Sequence, residues 1–371
     1  MAQSIFFYTD SREIGGAEDA LFTLMGALDP HQWKPTLLLD AAAGTDELAD
    51  RSRALGVPSA FIPEMPLGPK GARRVPAMAR MLRRERPAVF HAHLTSPMGA
   101  KYPLAAAVAA RVRAVVATVH LIPPFTPDRS NLVQLRLLAR LVGAYIAVSR
   151  DIAAGLAEDL RWPREKIDLI YNAVDSSRFG KPVPEALRAS LMDGGDRPVV
   201  LTPARLHEQK GHTYLLRAAA TLPGVVFAFA GEGPARAELE TEAARLGVAE
   251  RVRFLGQRND IPDLLAAADL VAIPSLYEGS PIAVLEALAA ERAVVGSAVG
   301  GMGELIEDGK TGILVPPGDV EALAAGLRRL VEDPAGRRAM GQRGRRRVDR
   351  DFGTAAMARQ VEQVYERLLA P

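Results

Sequence analysis

The chain reads as an α/β protein of two doubly wound, Rossmann-like domains, and three observations predict it. Short apolar runs rich in β-branched and aromatic residues alternate with Ala-, Leu- and Arg-rich segments of helical length, the pattern of βα units on a buried parallel sheet. The series runs through "SIFFYT", "PTLLLD", "AVFHAH", "AVVATVH" and "AYIAVS", and starts again at Pro198 with "PVVLTPAR", "VVFAFAGEG", "VRFLG", "LVAIPS" and "AVVGSAVGG". At 371 residues the chain also exceeds what a single core usually holds.

The boundary is expected between Asp175 and Arg197, where glycine, proline and charge collect and periodicity is lost. Residues 1–178 then form the first domain and 179–351 the second. After "RDFG" a helical spacing resumes, with Met357, Val361, Val364 and Leu368 needing a surface to cover, so residues 352–371 are expected to pack back on the first domain.

Composition excludes several function classes. The chain has no cysteine, which rules out disulfides, thiolate catalysis and cysteine-ligated zinc. A formal charge of +2 gives no basis for a nucleic-acid partner. The start "MAQSIFFYTD" lacks a basic region followed by a long apolar run, and no stretch is apolar for the length of a membrane span. A cytoplasmic placement is expected, at most peripheral at the inner membrane face.

Along the first domain, Gly15 and Gly16 stand between the first strand and its helix. Glycine there lets backbone approach a phosphate, and a helix start presents free amides, although a lone pair of glycines is more often just a tight turn. The stretch from Arg73 to Pro87 sets Val75, Met78, Met81 and Leu82 on one face among arginines. It reads as a sheet-covering helix, with contact to an anionic bilayer as the second reading. His91 and His93 end one strand and His120 the next. An isolated histidine is usually a surface or satisfied core residue, the reading taken for His91.

In the second domain, Arg205 and Lys210 follow the first strand. Two cations at the carboxyl end of a parallel strand suit a diphosphate, although either alone would be a solvated surface charge. In "LVAIPSLYEGSPIAVLEALAA" the strand is followed by a turn carrying Glu278 and a helix carrying Glu286. Gly279, Ser280, Pro281 and Ile282 lie between, where amides can face an anion. No DxD pair stands between strand and turn to hold a divalent cation against phosphates.

These segments together resemble a family. "YEGSPIAVLEALAA", followed by "VGGMGELIEDGKTGILVPPGD", looks like the E-x7-E region of retaining, nucleotide-sugar-dependent glycosyltransferases of family 4, which have the GT-B fold. The resemblance extends to "IGGAE", "ATVH", "AVS", "YNAVD" and "ARLHEQKG", in the family's order and over nearly the whole chain. The chain departs at Ser280, where an aromatic is frequent, and at Glu291 and Ala293, where glycine and proline are usual.

The resemblance implies two facing Rossmann-like domains and a retaining, metal-independent hexosyltransferase needing no cofactor. A nucleotide sugar would be the donor, a UDP-sugar in preference to a GDP-sugar, and the acceptor a lipid-linked, polysaccharide or small-molecule hydroxyl. It places Glu278 at the donor sugar and Glu286 at the ribose. Arg205 and Lys210 would face the diphosphate, with Gly15, Gly16 and the amides around Ile282 sharing its charge, and His120 would enter the catalytic site. The acceptor loops would bring His93, Lys101 and Tyr102, with Phe125, Asp128 and Arg129 nearby. A nucleotide-sugar isomerase or epimerase of the same shape, and a non-catalytic nucleotide-sugar-binding module, are the alternatives. The first would need further acid and base residues around the sugar, and the second would be expected to have lost some of Glu278, Glu286, Arg205 and Lys210.

Overall fold

The computed structural model describes residues 2–124, 128–180, 182, 185–192 and 197–370. Phe125, the Arg129 side chain and parts of the expected linker lie outside the described residues. The chain divides into two compact units, Met1–Ala173 with Thr354–Pro371, and Val174–Gly353.

The first unit is a parallel sheet of β1 (Gln3–Thr9), β2 (Trp33–Asp40), β3 (Ser59–Ile62), β4 (Val89–Leu94), β5 (Ala114–Val119), β6 (Ala144–Ala147) and β7 (Ile167–Leu169), in the order β3-β2-β1-β4-β5-β6-β7. Alternation along each strand divides its side chains between two cores. Ile5 and Phe7 join Leu37, Leu39, Val116 and Ile146 under one helical layer, while Tyr8 joins Leu38, Phe90, Ala92 and Tyr145 under the other. Order reverses between β1 and β4, and the carboxyl ends flanking that reversal are where open α/β sheets bind ligands.

The C-terminal helix Thr354–Leu369 belongs to this unit, burying Met357, Val361, Val364 and Tyr365 in the same core as Phe7 and Leu21. Its Tyr365 hydroxyl lies 2.6 Å from His91 Nδ1, and Thr118 Oγ1 lies 2.8 Å from His91 Nε2. Both ring nitrogens of this fully buried histidine are satisfied, as expected of a core residue. The helix Pro69–Glu85 turns Met78 and Leu82 into the other core, with Val75 and Met81 packed beside them. Arg73, Arg74, Arg80, Arg83 and Arg84 lie in solvent.

The second unit repeats the plan with β8 (Val199–Pro203), β9 (Val226–Ala230), β10 (Val252–Phe254), β11 (Leu270–Ile273), β12 (Ala293–Ser297) and β13 (Gly312–Val315), ordered β10-β9-β8-β11-β12-β13. Its reversal falls between β8 and β11. Residue 174 rather than 175–197 marks the division, because Val174 bridges to Gly353 and its amide donates to the Phe352 carbonyl at 3.1 Å. Within the expected linker, the helix Glu185–Met192 is ordered by burial of Leu191 and Met192. Its Arg188 donates to the Ala267 carbonyl and to Asp269.

Tyr365→Phe removes one partner of a buried hydrogen bond and leaves His91 Nδ1 unsatisfied. Destabilisation of about 1–3 kcal/mol is expected in denaturant titrations, and an unchanged midpoint would show that the bond contributes nothing.

Candidate active site

In the second unit the strand ends at the reversal carry facing loops. After β8 the chain makes a short helical turn, Glu208–Lys210, that ends at Gly211 in the left-handed region, φ +68°. A Cβ at Gly211 would lie inside contact distance of the Pro274 carbonyl beyond β11, so only glycine allows the two loops this approach. Two hydrogen bonds then sew them together. The Leu276 amide donates to the Gln209 carbonyl at 2.8 Å, and the Gln209 side-chain amide to the Tyr277 carbonyl at 3.0 Å.

This seam brings Lys210 Nζ to 2.6 Å from Glu278 Oε1, which also accepts from Ser275 Oγ at 2.8 Å. The carboxylate side chain is 7% exposed and the ammonium side chain 22%, so the pair is largely shielded from solvent yet reachable. Gly300 (φ +48°) packs its backbone on the Glu278 carbonyl, and the Gly301 amide donates to Gly279 at 2.8 Å. The loop after β12 thereby supports Glu278 from the side opposite β8.

Beyond Gly279 and Ser280, Pro281 caps the helix Ile282–Ala289, whose first amides have no carbonyl to bond within the helix. Glu286 sits on this helix, and Arg205 stands exposed just after β8. Sequence reasoning missed Ser275, Gln209 and the Gly300–Gly301 turn. Nothing marks them in sequence, because their roles come from contacts between separate loops.

The first unit is built differently at its reversal. Asp10, after β1, accepts from the Thr95 amide at 2.9 Å and its hydroxyl at 3.1 Å beyond β4. Glu18, in the first turn of the helix Gly16–Ala27, accepts from Thr9 Oγ1 at 3.0 Å and from the Gly15 amide at 3.1 Å. Burial raises both carboxyls, Asp10 to about 6 and Glu18 to about 7. Gly15 is extended, and a Cβ on Gly16 would meet nothing within 4 Å, so the fold itself does not require glycine at Gly16.

Beyond β4 and β5, His93 Nδ1 lies 3.0 Å from His120 Nε2, with the rings stacked at 5.2 Å. His93 is 2% exposed and leaves no open face for an acceptor, while His120 keeps 8%. The other two residues expected at the acceptor have intramolecular partners. Lys101 Nζ donates to Asn131 Oδ1 at 3.1 Å and Gln134 Oε1 at 2.8 Å, and the Tyr102 hydroxyl accepts from the Gly68 amide at 3.2 Å. Both hold helices together. Among the described residues no group of three or more His, Cys, Asp or Glu could hold a metal ion.

The Glu18 shift carries a pH dependence. Its carboxyl titrates near 4.5 when unfolded and near 7 when folded, so the folded state holds the proton more tightly. Stability from this group is full below about pH 4.5 and is lost as pH rises through 7, up to about 3 kcal/mol. Glu18→Gln is expected to flatten that part of the stability–pH curve, which denaturant midpoints between pH 4.5 and 8 would read.

Two family models tile the chain: Glycosyltransferase Family 4 over residues 14–178 and Glycosyl transferases group 1 over residues 184–347. The 2-deoxystreptamine glucosyltransferase of Streptomyces kanamyceticus is 30% identical over 313 residues, 78% of this chain and 80% of that one. The alpha-D-kanosaminyltransferase of the same organism is 34% identical over 216 residues, 56% of this chain and 55% of its own. The chain thus spans little more than half the length of that relative. Among solved structures, Anabaena HepE in complex with UDP-glucose superposes with a TM-score of 0.85 at 26% identity, covering 98% of this chain and 99% of that one. With both halves matched in order and two Rossmann-like sheets in place, the chain belongs to glycosyltransferase family 4 and has the GT-B fold.

Proposed function

We propose that the protein transfers a hexose from a nucleoside diphosphate sugar, a UDP-sugar in preference to a GDP-sugar, to a hydroxyl acceptor, with retention of anomeric configuration and without a metal ion. The observation that carries this reading is the Lys210–Glu278 pair at the strand reversal of the second unit, where a cation and a carboxylate stand at the mouth of the Ile282–Ala289 helix. The UDP preference draws on HepE, whose structures include complexes with UDP and with UDP-glucose.

The chemistry follows from charge. Breaking the bond between the anomeric carbon and the phosphate oxygen develops negative charge on the departing diphosphate, and groups already in place to meet it lower the barrier. Lys210 and Arg205 supply cations, and the helix start supplies amides. Glu278 accepts hydrogen bonds from sugar hydroxyls and Glu286 from the ribose. The acceptor oxygen joins the anomeric carbon on the face the phosphate leaves, and its proton passes to a departing phosphate oxygen. Such front-face substitution needs no carboxylate nucleophile behind the ring, unlike the two-carboxylate scheme of retaining glycosidases.

Release of free nucleoside diphosphate from a panel of nucleotide sugars, with and without acceptor hydroxyls, tests the activity. Acceptor-dependent release supports transfer, whereas release of an altered nucleotide sugar alone would favour an isomerase. Lys210→Ala is expected to lower kcat about 10²-fold to 10³-fold by removing one preorganised cation. Arg205→Ala is expected to weaken nucleoside diphosphate binding by about 1.5–3 kcal/mol in calorimetry. Turnover is expected to survive EDTA. Loss on chelation with recovery in magnesium or manganese would overturn the metal-free reading.

A further inference from the structure

We propose that His93 is a positioning residue that holds His120 in the tautomer protonated on Nδ1, so that His120 presents a fixed neutral N–H donor at the carboxyl end of β5. This rests on the proposed function together with the family resemblance, which implies a catalytic role for His120, but its structural content stands on the histidine pair alone.

One hydrogen bond joins the two rings, His93 Nδ1 to His120 Nε2 at 3.0 Å, so one nitrogen must donate and the other accept. Two arrangements are open. If His120 donates from Nε2, His93 accepts on Nδ1 and carries its own proton on Nε2. That atom is buried and has no hydrogen-bond partner among the described residues. The arrangement would therefore strand an N–H donor in the core, the rarer and costlier orphan. If His93 donates from Nδ1, the stranded atom is only a bare lone pair. His120 then accepts on Nε2, and its remaining proton must sit on Nδ1.

The surroundings keep the pair neutral. Burial lowers His120 to about 4 and His93 well below the ordinary range, with the neighbouring histidines adding to the latter. His91 packs 4.7 Å from His93, and both its nitrogens are engaged by Tyr365 and Thr118, so it offers His93 no alternative partner. Phe7 closes a further side at 6.1 Å. Of the three histidines His120 keeps the largest exposure, 8% against 2% for His93 and 0% for His91. A neutral His120 at physiological pH is thus a hydrogen-bond donor and not a proton source.

Nitrogen-15 NMR of the histidine-labelled protein tests this, with the His120 signals identified by their absence from His120→Gln. The expected result is a protonated Nδ1 and an unprotonated Nε2 on His120 from pH 6 to 8. His93→Leu, which cannot donate, is expected to release that tautomer and to lower kcat/KM about 10-fold to 100-fold, the range for outer partners of ligating histidines. His93→Asn, whose side-chain amide can donate to Nε2, is expected to restore the tautomer and recover most of the loss. Finding the His120 proton on Nε2, or an unchanged tautomer in a folded His93→Leu, would overturn the inference. Absence of transfer activity in the unsubstituted protein would count against the proposed function and leave the NMR result to decide this one.

Discussion

The second unit's site depends on one close approach, that of the backbone after β8 to the backbone after β11. Gly211 permits it, because its left-handed φ and missing Cβ let the chain pass against the Pro274 carbonyl. Everything else follows from that contact. The Gln209–Leu276 and Gln209–Tyr277 bonds fix the register of the two loops, and that register puts Lys210 and Glu278 in contact. Gly300 repeats the device from β12. Three loops on three neighbouring strands are thus locked backbone to backbone, so the charged side chains are placed by rigid elements and not by their own flexibility.

The first unit uses the same topology to a different electrostatic end. Its reversal is bridged by Asp10 and Thr95 where the second unit has a cation–carboxylate pair, and Glu18 ties the glycine turn to β1. Two buried carboxyls raised toward neutrality carry less charge at pH 7 than their formula suggests. The histidines on β4 and after β5 are held neutral by burial. The strand ends of this unit therefore combine carboxyls of reduced charge with neutral imidazoles, whereas the second unit concentrates fixed charge.

Much of this was legible in the sequence because it depends on local patterns. Apolar runs separated by helical segments mark a parallel sheet wherever they occur, and the late spacing of Met357, Val361 and Val364 announces a helix in need of a surface. Arg205 and Lys210 stand out in sequence because strand ends are where chemistry collects, and Glu278 and Glu286 through the resemblance to an E-x7-E region; of these the structure brings Lys210 and Glu278 into contact. Proline and glycine between residues 175 and 197 suggest irregularity, whereas Arg188 and Leu191 order part of that stretch through contacts with the residues before β11 and with the core. Lys101 and Tyr102 look available in sequence, and only the packing of three helices shows where their polar atoms go. Glu291 is a departure whose consequence appears only in the backbone. It holds φ +58°, a conformation that favours glycine, and so carries strain that the family's usual residue would not.

The Lys210–Glu278 contact also sets a constraint on any ligand that draws the ammonium away. A carboxylate at 7% exposure loses much of its stabilisation when its cation turns elsewhere, and among the described residues Ser275 is left to supply a single neutral bond. Under the proposed function the sugar hydroxyls replace what Glu278 gives up, while Lys210 gains the diphosphate. Sugar and diphosphate then favour each other's binding, because each satisfies one half of a pair that neither can break without loss. A free nucleoside diphosphate recruits the lysine and leaves the glutamate underserved. A site wired in this way holds the intact donor more readily than the product of its cleavage, which assists release once the sugar has moved.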